Sequence, residues 1–360
     1  LLLYSFFIGF ALYGQDTTAL LTKASIQIDG NIEEEWSRAT PSTPFWEYFP
    51  SDTLLAKQQT KVKFLYDDLN LYVLIVAETE DNNFITPTLR RDFSPRNSDS
   101  VTLILDTFND GTNAFLFGTN PEGVQREALI SNGGNSSFRD FNSSWDVKWQ
   151  VEVAKTDQAY ITEMKIPLSS LRYGENSTQW RVNVYRSDIG KNITSSWANT
   201  PRNQNVAGLA FMKTLGFEMA LPKAKVPIAL IPFSSGIVSK DFEENRSASS
   251  LSAGGDAKIS IGSGMILDLT LNPDFSQVEV DDQIINLSRF EVRLPEKRQF
   301  FIQNSDLFDN YGDRRETQPF FSRRIGVAKD RDDNTIENKI IAGARLSGKI
   351  NDNLRLGFLN

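Results

Sequence analysis

The side chains that could do chemistry in this chain are restricted in type. Its 360 residues include neither histidine nor cysteine. Without histidine, the chain lacks the commonest general base, the usual zinc ligand and the central member of a Ser-His-Asp triad. Without cysteine, it has no thiol chemistry and no disulfides. Carboxylates are therefore the main candidates for catalysis or metal binding.

The 46 acidic residues are numerous enough for carboxylate chemistry. Two carboxylates suffice for glycoside hydrolysis, so a glycoside hydrolase stays an alternative. The acidic clusters nevertheless fall at turns or solvated ends of predicted strands, and none has an aromatic setting: Glu33–Glu35, Asp67–Asp68 and Asp281–Asp282. We therefore assign no catalytic residue.

One acidic turn, Asp106–Gly111, superficially resembles the start of a calcium-binding EF-hand loop. Phe108 occupies the third position and Phe117 the twelfth, where the loop needs oxygen ligands. The run Asp330–Asp333 fails the same test and is predicted to be a solvated loop. The sequence therefore names no metal ligand.

Charge and the first residues limit the class of protein. The formal net charge is −8 and the pI is about 4.9, which excludes the basic face that nucleic-acid binding needs. The chain opens with an apolar run, residues 1–15, of the length of a signal-peptide core. We expect an incomplete signal peptide and export; a buried helix is the alternative.

Short strands must position any functional residues. In the stretch Asp99–Ile130, the apolar residues Val101, Leu103 and Leu105 alternate with Thr102 and Asp106, which predicts a strand with one buried face. The turn residues Asn109–Gly111 and Pro121–Gly123 then separate two further strands. This pattern predicts a three-stranded antiparallel meander that serves as the scaffold for the loops.

Further short strands surround the meander, and no long amphipathic helix interrupts them. They are predicted at Val62–Tyr66, Leu71–Ala77, Trp145–Val153, Tyr160–Ile166 and Trp180–Tyr185. This spacing favours an all-β fold, an antiparallel β-sandwich over residues 16–221. Three tryptophans that lie within strand or helix patterns are expected in its core: Trp36, Trp149 and Trp180.

Composition changes near residue 222, where prolines punctuate a predicted interdomain connection. Beyond it, alternating apolar and polar positions recur at 256–271 and 339–350. Such repeats fit strands of a transmembrane barrel, and they fit one face of a soluble sheet equally well. We predict that residues 222–360 are the first strands of a second, barrel-like antiparallel domain, truncated in this chain.

The order of motifs along the first part resembles family 9 carbohydrate-binding modules and their DOMON-like, jelly-roll relatives. The matching segments are IDGNIEEEW (28–36), VKFLYDDLNLYVLIVAE (62–78), RRD (90–92), SDSVTLILDTFNDG (98–111), FGTNPEGVQRE (117–127), ITEMKIPLSSLRY (161–173) and WRVNVYR (180–186). Residues 271–304 and 320–326 resemble the domain of unknown function that follows this module in exported Bacteroidota-type proteins. The resemblance implies a structural calcium site with unnamed ligands and a continuing outer-membrane β-structure.

The resemblance also implies that two loop tryptophans sandwich a sugar ring, whose C–H groups meet the aromatic faces. Trp46 and Trp197 match by loop position, and Trp145 is a third candidate. The alternative is that these rings anchor loops on the sandwich edge. Polar rim candidates are Arg91, Asn199 and Arg202. For the segment around Arg91, the alternative is an arginine–carboxylate pair that fixes the loop.

We therefore expect an exported module that binds an oligosaccharide or polysaccharide, with its binding residues in the loops. Its attached β-domain would place it in the outer membrane, or at the periplasm or cell surface, of a Gram-negative bacterium. There it would serve polysaccharide capture or breakdown. The alternative from another class is a structural or transport protein of the outer membrane whose sandwich binds no sugar.

Overall fold

The computed structural model describes residues 16–80, 82–135, 140–143, 145–222, 228–241, 246–262, 264–273, 296, 298–302, 306–309, 311, 319–329, 335–351 and 354–360. The predicted signal segment 1–15 and the acidic run 330–333 lie outside the described residues. Most of the motif at 271–304 also lies outside them.

Thirteen strands form the first unit. They are β1 (Thr17–Leu21), β2 (Trp46–Phe49), β3 (Thr60–Tyr66), β4 (Asn70–Glu78), β5 (Ser100–Asp106), β6 (Ala114–Thr119), β7 (Gln125–Ile130), β8 (Phe141–Asn142), β9 (Gln150–Lys155), β10 (Ala159–Pro167), β11 (Gln179–Asp188), β12 (Ile193–Ser196) and β13 (Lys213–Phe217). Short 3₁₀ turns lie at Glu34–Arg38, Asn132–Gly134, Leu168–Ser170 and Leu209–Phe211.

These strands make one curled sheet in the order β8-β7-β6-β5-β11-β13-β1-β3-β4-β10-β9, with β12 and β2 attached at β11. Its two halves pack face to face. All neighbours are antiparallel except β1, which runs parallel to both β13 and β3 and so joins the halves. The predicted all-β sandwich is confirmed.

The predicted meander forms as β5, β6 and β7, within a few residues of the expected bounds. Val101, Leu103 and Leu105 all point into the main core, as their alternation predicts. Trp149 and Trp180 lie in the same core, whereas Trp36 packs in a smaller cluster under the 3₁₀ turn at Glu34–Arg38. The other face of the meander carries a second, smaller hydrophobic cluster, in which Ile104, Leu116 and Ala128 pack with Tyr185 and Leu209.

A second sheet follows, in the order β14-β15-β16-β19-β20. Its strands are β14 (Ile228–Asp241), β15 (Arg246–Ile261), β16 (Met265–Leu271), β19 (Ala342–Asn351) and β20 (Leu354–Leu359). A small hairpin, β17 (Val327–Lys329) with β18 (Thr335–Glu337), and the short helices α1 (Gln299–Ile302) and α2 (Asp306–Asp309) lie between β16 and β19, together with a 3₁₀ turn at Ser322–Arg324.

The second sheet has its charged face buried and its apolar face exposed. On the buried face, Asp268 pairs across strands with Arg345, and both are almost fully covered. Lys349 on the same face reaches Asp110 of the sandwich, with 2.6 Å between Nζ and Oδ2. Apolar side chains cover the opposite, exposed face, among them Ile228, Leu230, Leu269, Leu271, Ile350, Leu354, Leu356 and Phe358. Phe300 of α1 also lies over this face, with its ring centre 5.5 Å from the Arg345 guanidinium.

A search of the described residues for membrane-spanning helices found none of sufficient length and hydrophobicity.

Candidate functional site

One row of paired residues crosses six strands of the sandwich on the face away from the core. Each member is directly opposite the next, so their side chains share one face. The row runs Trp46, Ser196, Tyr185, Thr102, Gly118 and Arg126, on strands β2, β12, β11, β5, β6 and β7. The strand pairing therefore gathers residues that are up to 150 positions apart in the sequence, a span from Trp46 to Ser196.

The middle of this face holds polar atoms that lack hydrogen-bond partners among the described residues. They are Ser100 Oγ, Thr102 Oγ1, Asn120 Nδ2 and Arg126 Nη1. Ser100, Thr102 and Asn120 are fully buried as residues. Leaving a buried donor or acceptor unpaired costs about 1–3 kcal/mol, so such groups are uncommon in native proteins. Four such atoms on one face leave hydrogen-bonding capacity that the described residues do not use.

Gly118 keeps the middle of the row open. A Cβ at this position would lie 3.2 Å from Thr102 Oγ1 and 3.8 Å from the Cβ of Arg126. The first of these distances is tighter than ordinary van der Waals contact, so a side chain here would press on the hydroxyl. Glycine therefore leaves room between the Thr102 hydroxyl and the Arg126 side chain, although Thr102 itself is fully buried.

Beside Arg126, the loop before β5 is fastened to β7. The backbone N–H of Asp92 donates to the carbonyl of Gln125 at 3.0 Å, and Asp92 takes a left-handed backbone angle, φ = 60°. Burial raises the pKa of Asp92, while a hydrogen bond from the Glu127 backbone and the charges of Arg91 and Arg126 oppose that rise. A carboxylate thus lies near the positive end of the row.

A two-stranded flap of β2 and β12 forms the other end of the face. Trp46 and Tyr48 both lie on β2, and both side chains are partly exposed. The Tyr48 hydroxyl donates to the carbonyl of Gln204 at 2.7 Å. The flap therefore offers one partly exposed indole beside a tyrosine, on the face that carries the unpaired polar atoms.

The segment after β12 is tied to this flap and brings two predicted rim residues to it. The backbone N–H of Arg202 donates to Asp52 Oδ2 at 2.8 Å, and its Nη1 donates to the carbonyl of Pro50 at 2.8 Å. Its guanidinium lies 4.9 Å from the ring centre of Phe49. Asn199, in the same segment, is exposed. Arg202 therefore lies against the end of β2, and Asn199 follows the last residue of β12 by three positions.

The two other candidate tryptophans lie elsewhere. Trp197 is 4% exposed and Trp145 is 8% exposed, and both rings belong to the main core. The ring centres of Phe115 and Phe117 lie 5.3 Å and 5.9 Å from that of Trp145. A sugar platform needs a free ring face, which neither indole offers here. This placement agrees with the alternative that these two rings anchor their loops. Trp46 therefore remains as the platform candidate.

Arg91 is separated from the row because its partner Glu127 points to the opposite side of β7 from Arg126. Its Nη2 pairs with Glu127 and with Asp146 Oδ1, the latter at 2.8 Å. The Trp149 indole N–H also donates to Glu127 Oε2, at 3.3 Å. Burial raises the pKa of Glu127 to about 7, against the lowering effect of the Arg91 hydrogen bond. The arginine–carboxylate pair foreseen as the alternative is therefore what the structure shows.

Metal binding finds no support in the geometry. No group of three or more acidic side chains that could hold an ion occurs in the part of the chain that the structure describes. The Asp106 carboxylate instead accepts a 2.8 Å hydrogen bond from the Gly111 backbone N–H and closes its turn. A structural calcium site stays a prediction.

The sequence predictions missed the polar residues of the meander itself: Ser100, Thr102, Asn120 and Arg126. The alternation that places Val101 and Leu103 in the core also places Ser100 and Thr102 on the other face, so the signal was present. The meander was expected to be only a scaffold for functional loops. The unpaired polar atoms described above lie on its strands and at their ends.

The fold is an all-β sandwich whose strand pairing carries this row across one face. A family model described as carbohydrate family 9 binding domain-like matches residues 28–212. The chain belongs to this family. Residues 225–360 match the model of a domain of unknown function, DUF5916.

Two solved structures similar to this chain come from Caldicellulosiruptor kristjanssonii, and both are carbohydrate-binding modules of family 9. The module in complex with glucose is 17% identical, with a TM-score of 0.40, over 56% of this chain and 96% of that chain. The module in complex with cellotriose is 18% identical, with a TM-score of 0.38, over 59% of this chain and 99% of that chain. A search of curated proteins found no match.

Proposed function

We propose that the sandwich binds a saccharide on the face that carries the row from Trp46 to Arg126. The observation that supports this most directly is the cluster of unpaired polar atoms beside Gly118. Sugar hydroxyls both donate and accept hydrogen bonds, so they complement hydroxyl, amide and guanidinium groups together. The partly exposed Trp46 ring supplies the aromatic surface on which a pyranose ring packs. Family membership supports the same class of ligand.

Binding is tested on the full chain with an array of neutral oligosaccharides, followed by calorimetric titration of each hit. We expect the parent chain to bind at least one oligosaccharide, and Trp46→Ala to weaken that binding at least tenfold because the packing surface is lost. Tyr311→Ala, which removes an exposed ring of the second domain, is the control and keeps the parent affinity. An array without a single hit would overturn the proposal and favour the structural or transport alternative.

Thr102→Val separates recognition from folding in the same assay. The substitution removes a buried hydroxyl that has no partner among the described residues and keeps the side-chain shape. Because an unpaired buried hydroxyl carries a desolvation cost, the variant is expected to be as stable as the parent or more so. Its affinity for the oligosaccharide is expected to fall. Unchanged affinity would place the binding site elsewhere.

We further propose that the second domain lies in the outer membrane and holds the module there for polysaccharide capture. The supporting observation is the exposed apolar face of its sheet, in which Leu230 is 72% and Phe358 is 58% exposed. Strands that alternate lipid-facing apolar residues with polar residues on the other side build membrane barrels. Strands β14 and β15, of 14 and 16 residues, exceed the roughly 9–11 residues that a tilted strand needs to cross a bilayer.

Leu356→Lys distinguishes a lipid-facing strand from a water-facing one. A lysine at a water-exposed position costs little, whereas at the bilayer midplane it costs about 2–4 kcal/mol and less near the interfaces. We expect Leu356→Lys to reduce the amount of folded chain recovered from membranes. Leu89→Lys, at a 74% exposed position of the sandwich, is the control without effect. Recovery of the parent chain as soluble protein without detergent would contradict the membrane proposal.

A further inference from the structure

A cleft of about 560 Å³ lies between the sandwich and the buried face of the second sheet. Arg91, Asp146 and Lys148 line it from the sandwich. The second sheet contributes a matching set to the opposite wall: Asp256, Lys258 and Asp268. Pockets of about 300–1,000 Å³ accommodate small-molecule ligands, so the cleft is large enough for one. The cleft is separate from the row that begins at Trp46. Its sandwich wall lies on the side of β7 to which Glu127 points, and the row lies on the other side.

The charged groups of the cleft balance one another. The sandwich wall carries two cationic side chains and one carboxylate, and the sheet wall carries one ammonium and two carboxylates. The six lining charges therefore sum to zero, which disfavours a strongly anionic or cationic ligand. Alternating cationic donors and carboxylate acceptors instead fit a ligand whose groups both donate and accept hydrogen bonds.

Two buried polar atoms at the sheet wall have no hydrogen-bond partner within the described ranges. Asp268 lines the cleft and is 2% exposed; its Oδ2 accepts from Arg345 Nη2 at 2.6 Å, whereas its Oδ1 has no partner. Arg345 is fully buried, and its Nη1 is likewise unpaired. A buried carboxylate oxygen without a donor is costly, so this wall is built to receive one.

Lys258 adds a cation beside the same carboxylate. Burial lowers the pKa of Lys258, while the charge of Asp268 opposes that change. An ammonium and an unpaired carboxylate oxygen on one wall can hold two adjacent hydroxyl groups, one as acceptor and one as donor. Phe300, whose ring lies 5.5 Å from the Arg345 guanidinium, gives the cleft an apolar wall as well.

We propose that this cleft is a second binding site for a neutral, hydroxyl-rich ligand, a saccharide unit held between the sandwich and the second domain. The ligand class rests on the proposed function, whereas the site and its residues do not. Such a site would let the second domain contact a sugar bound by the module. Its occupant would also bridge the two parts of the chain.

The test uses the full chain in detergent and the array of neutral oligosaccharides. Four proteins are compared: parent, Trp46→Ala, Lys258→Met and the double variant Trp46→Ala/Lys258→Met. We expect Trp46→Ala to retain weakened binding to at least one oligosaccharide. We expect the affinity of the double variant to be at least tenfold lower than that of Trp46→Ala. Lys23→Met, at an exposed lysine of the sandwich, is the matched control without effect.

Each outcome separates the two proposals. If Trp46→Ala alone abolishes all binding and Lys258→Met equals the parent, the cleft is not a site and the proposed function stands. If only Lys258→Met loses binding, the cleft is the site and the face beside Gly118 is not. A parent chain that binds nothing overturns both proposals. Should Lys258→Met fail to fold, Lys148→Ala at the exposed rim of the cleft replaces it, with the same expected loss.

Discussion

A difference of one residue in strand position decides which tryptophan faces outward and which faces the core. Trp46 is paired with Ser196, so it shares the outer face with Thr102 and Arg126. Trp197 follows Ser196 directly and therefore points to the opposite side, into the core. Both tryptophans occupy loop-like sequence, and only the strand register separates their roles. The sequence could predict that both tryptophans lie in loop-like segments. It could not predict the strand register, because short polar segments specify the register weakly.

The burial of Glu127 makes a pH-dependent contribution to stability. Its pKa is raised by burial from 4.5 to about 7, so the folded state binds a proton more tightly than the unfolded state does. Stability from this group is present below pH 4.5 and is lost as the pH rises through about 7. We expect the parent to lose stability relative to Glu127→Gln across that window, on the order of 1 kcal/mol per pKa unit.

Urea unfolding of both proteins at about pH 5 and about pH 8 measures the difference. The control is Glu80→Gln, whose carboxylate is 74% exposed and whose ion pair with Lys191 is loose. A stability difference between parent and Glu127→Gln that does not change with pH would show that Arg91 holds Glu127 ionised throughout the range.

The meander of β5, β6 and β7 is the element that both sequence and structure identify, but for different reasons. Alternation of apolar residues predicted its strands and its core face. It did not predict that Thr102, Gly118 and Arg126 align in one row, since that alignment depends on two hairpin registers at once. Glycines in strands often mark close approach of a ligand, so Gly118 was a second sequence signal beside the alternation of Ser100 and Thr102.

Gly118→Ala tests the row as a binding surface. The added methyl group would lie 3.2 Å from Thr102 Oγ1, so the hydroxyl must shift by a few tenths of an ångström. We expect oligosaccharide affinity to fall about tenfold in calorimetry. Folding stability should change by less than about 1 kcal/mol, because alanine also reduces the entropy of the unfolded chain. Gly174→Ala, at a position with open space around it, is the control; an equal loss in both variants would refute a specific role.

At the scale of the whole molecule, the sandwich and the second sheet are joined through charged groups. Lys349 pairs with Asp110 across the boundary and lies 5.3 Å from the ring centre of Phe108. Burial tends to raise the pKa of Asp110, but hydrogen bonds from Lys349 and Thr112 lower it below its ordinary value. The change in composition along the sequence predicted two domains. The contact between Lys349 and Asp110 could not be predicted, because it depends on how two separate sheets dock.

Lys349→Met is expected to weaken this contact, because it leaves a partly buried carboxylate without its partner. We expect a loss of about 1–3 kcal/mol in stability, together with faster proteolysis between residues 217 and 228. Lys61→Met breaks the exposed pair with Glu78 and is the matched control, with a loss of about 0–1 kcal/mol. Identical urea and proteolysis profiles for both variants would show that the two domains dock without this ion pair.

Strand β1 carries a consequence for the order of folding. Thr17 pairs with Leu215, and Leu21 pairs with Tyr66, so this strand closes the sheet between residues almost two hundred positions apart. Contacts of such separation form late, because the chain must first pay the entropy of closing a large loop. During synthesis, β1 and β3 can pair early, but the edges of β1 and β11 that β13 later fills stay open until residue 217 has been made. Until then, these two unpaired strand edges are open to association with other chains.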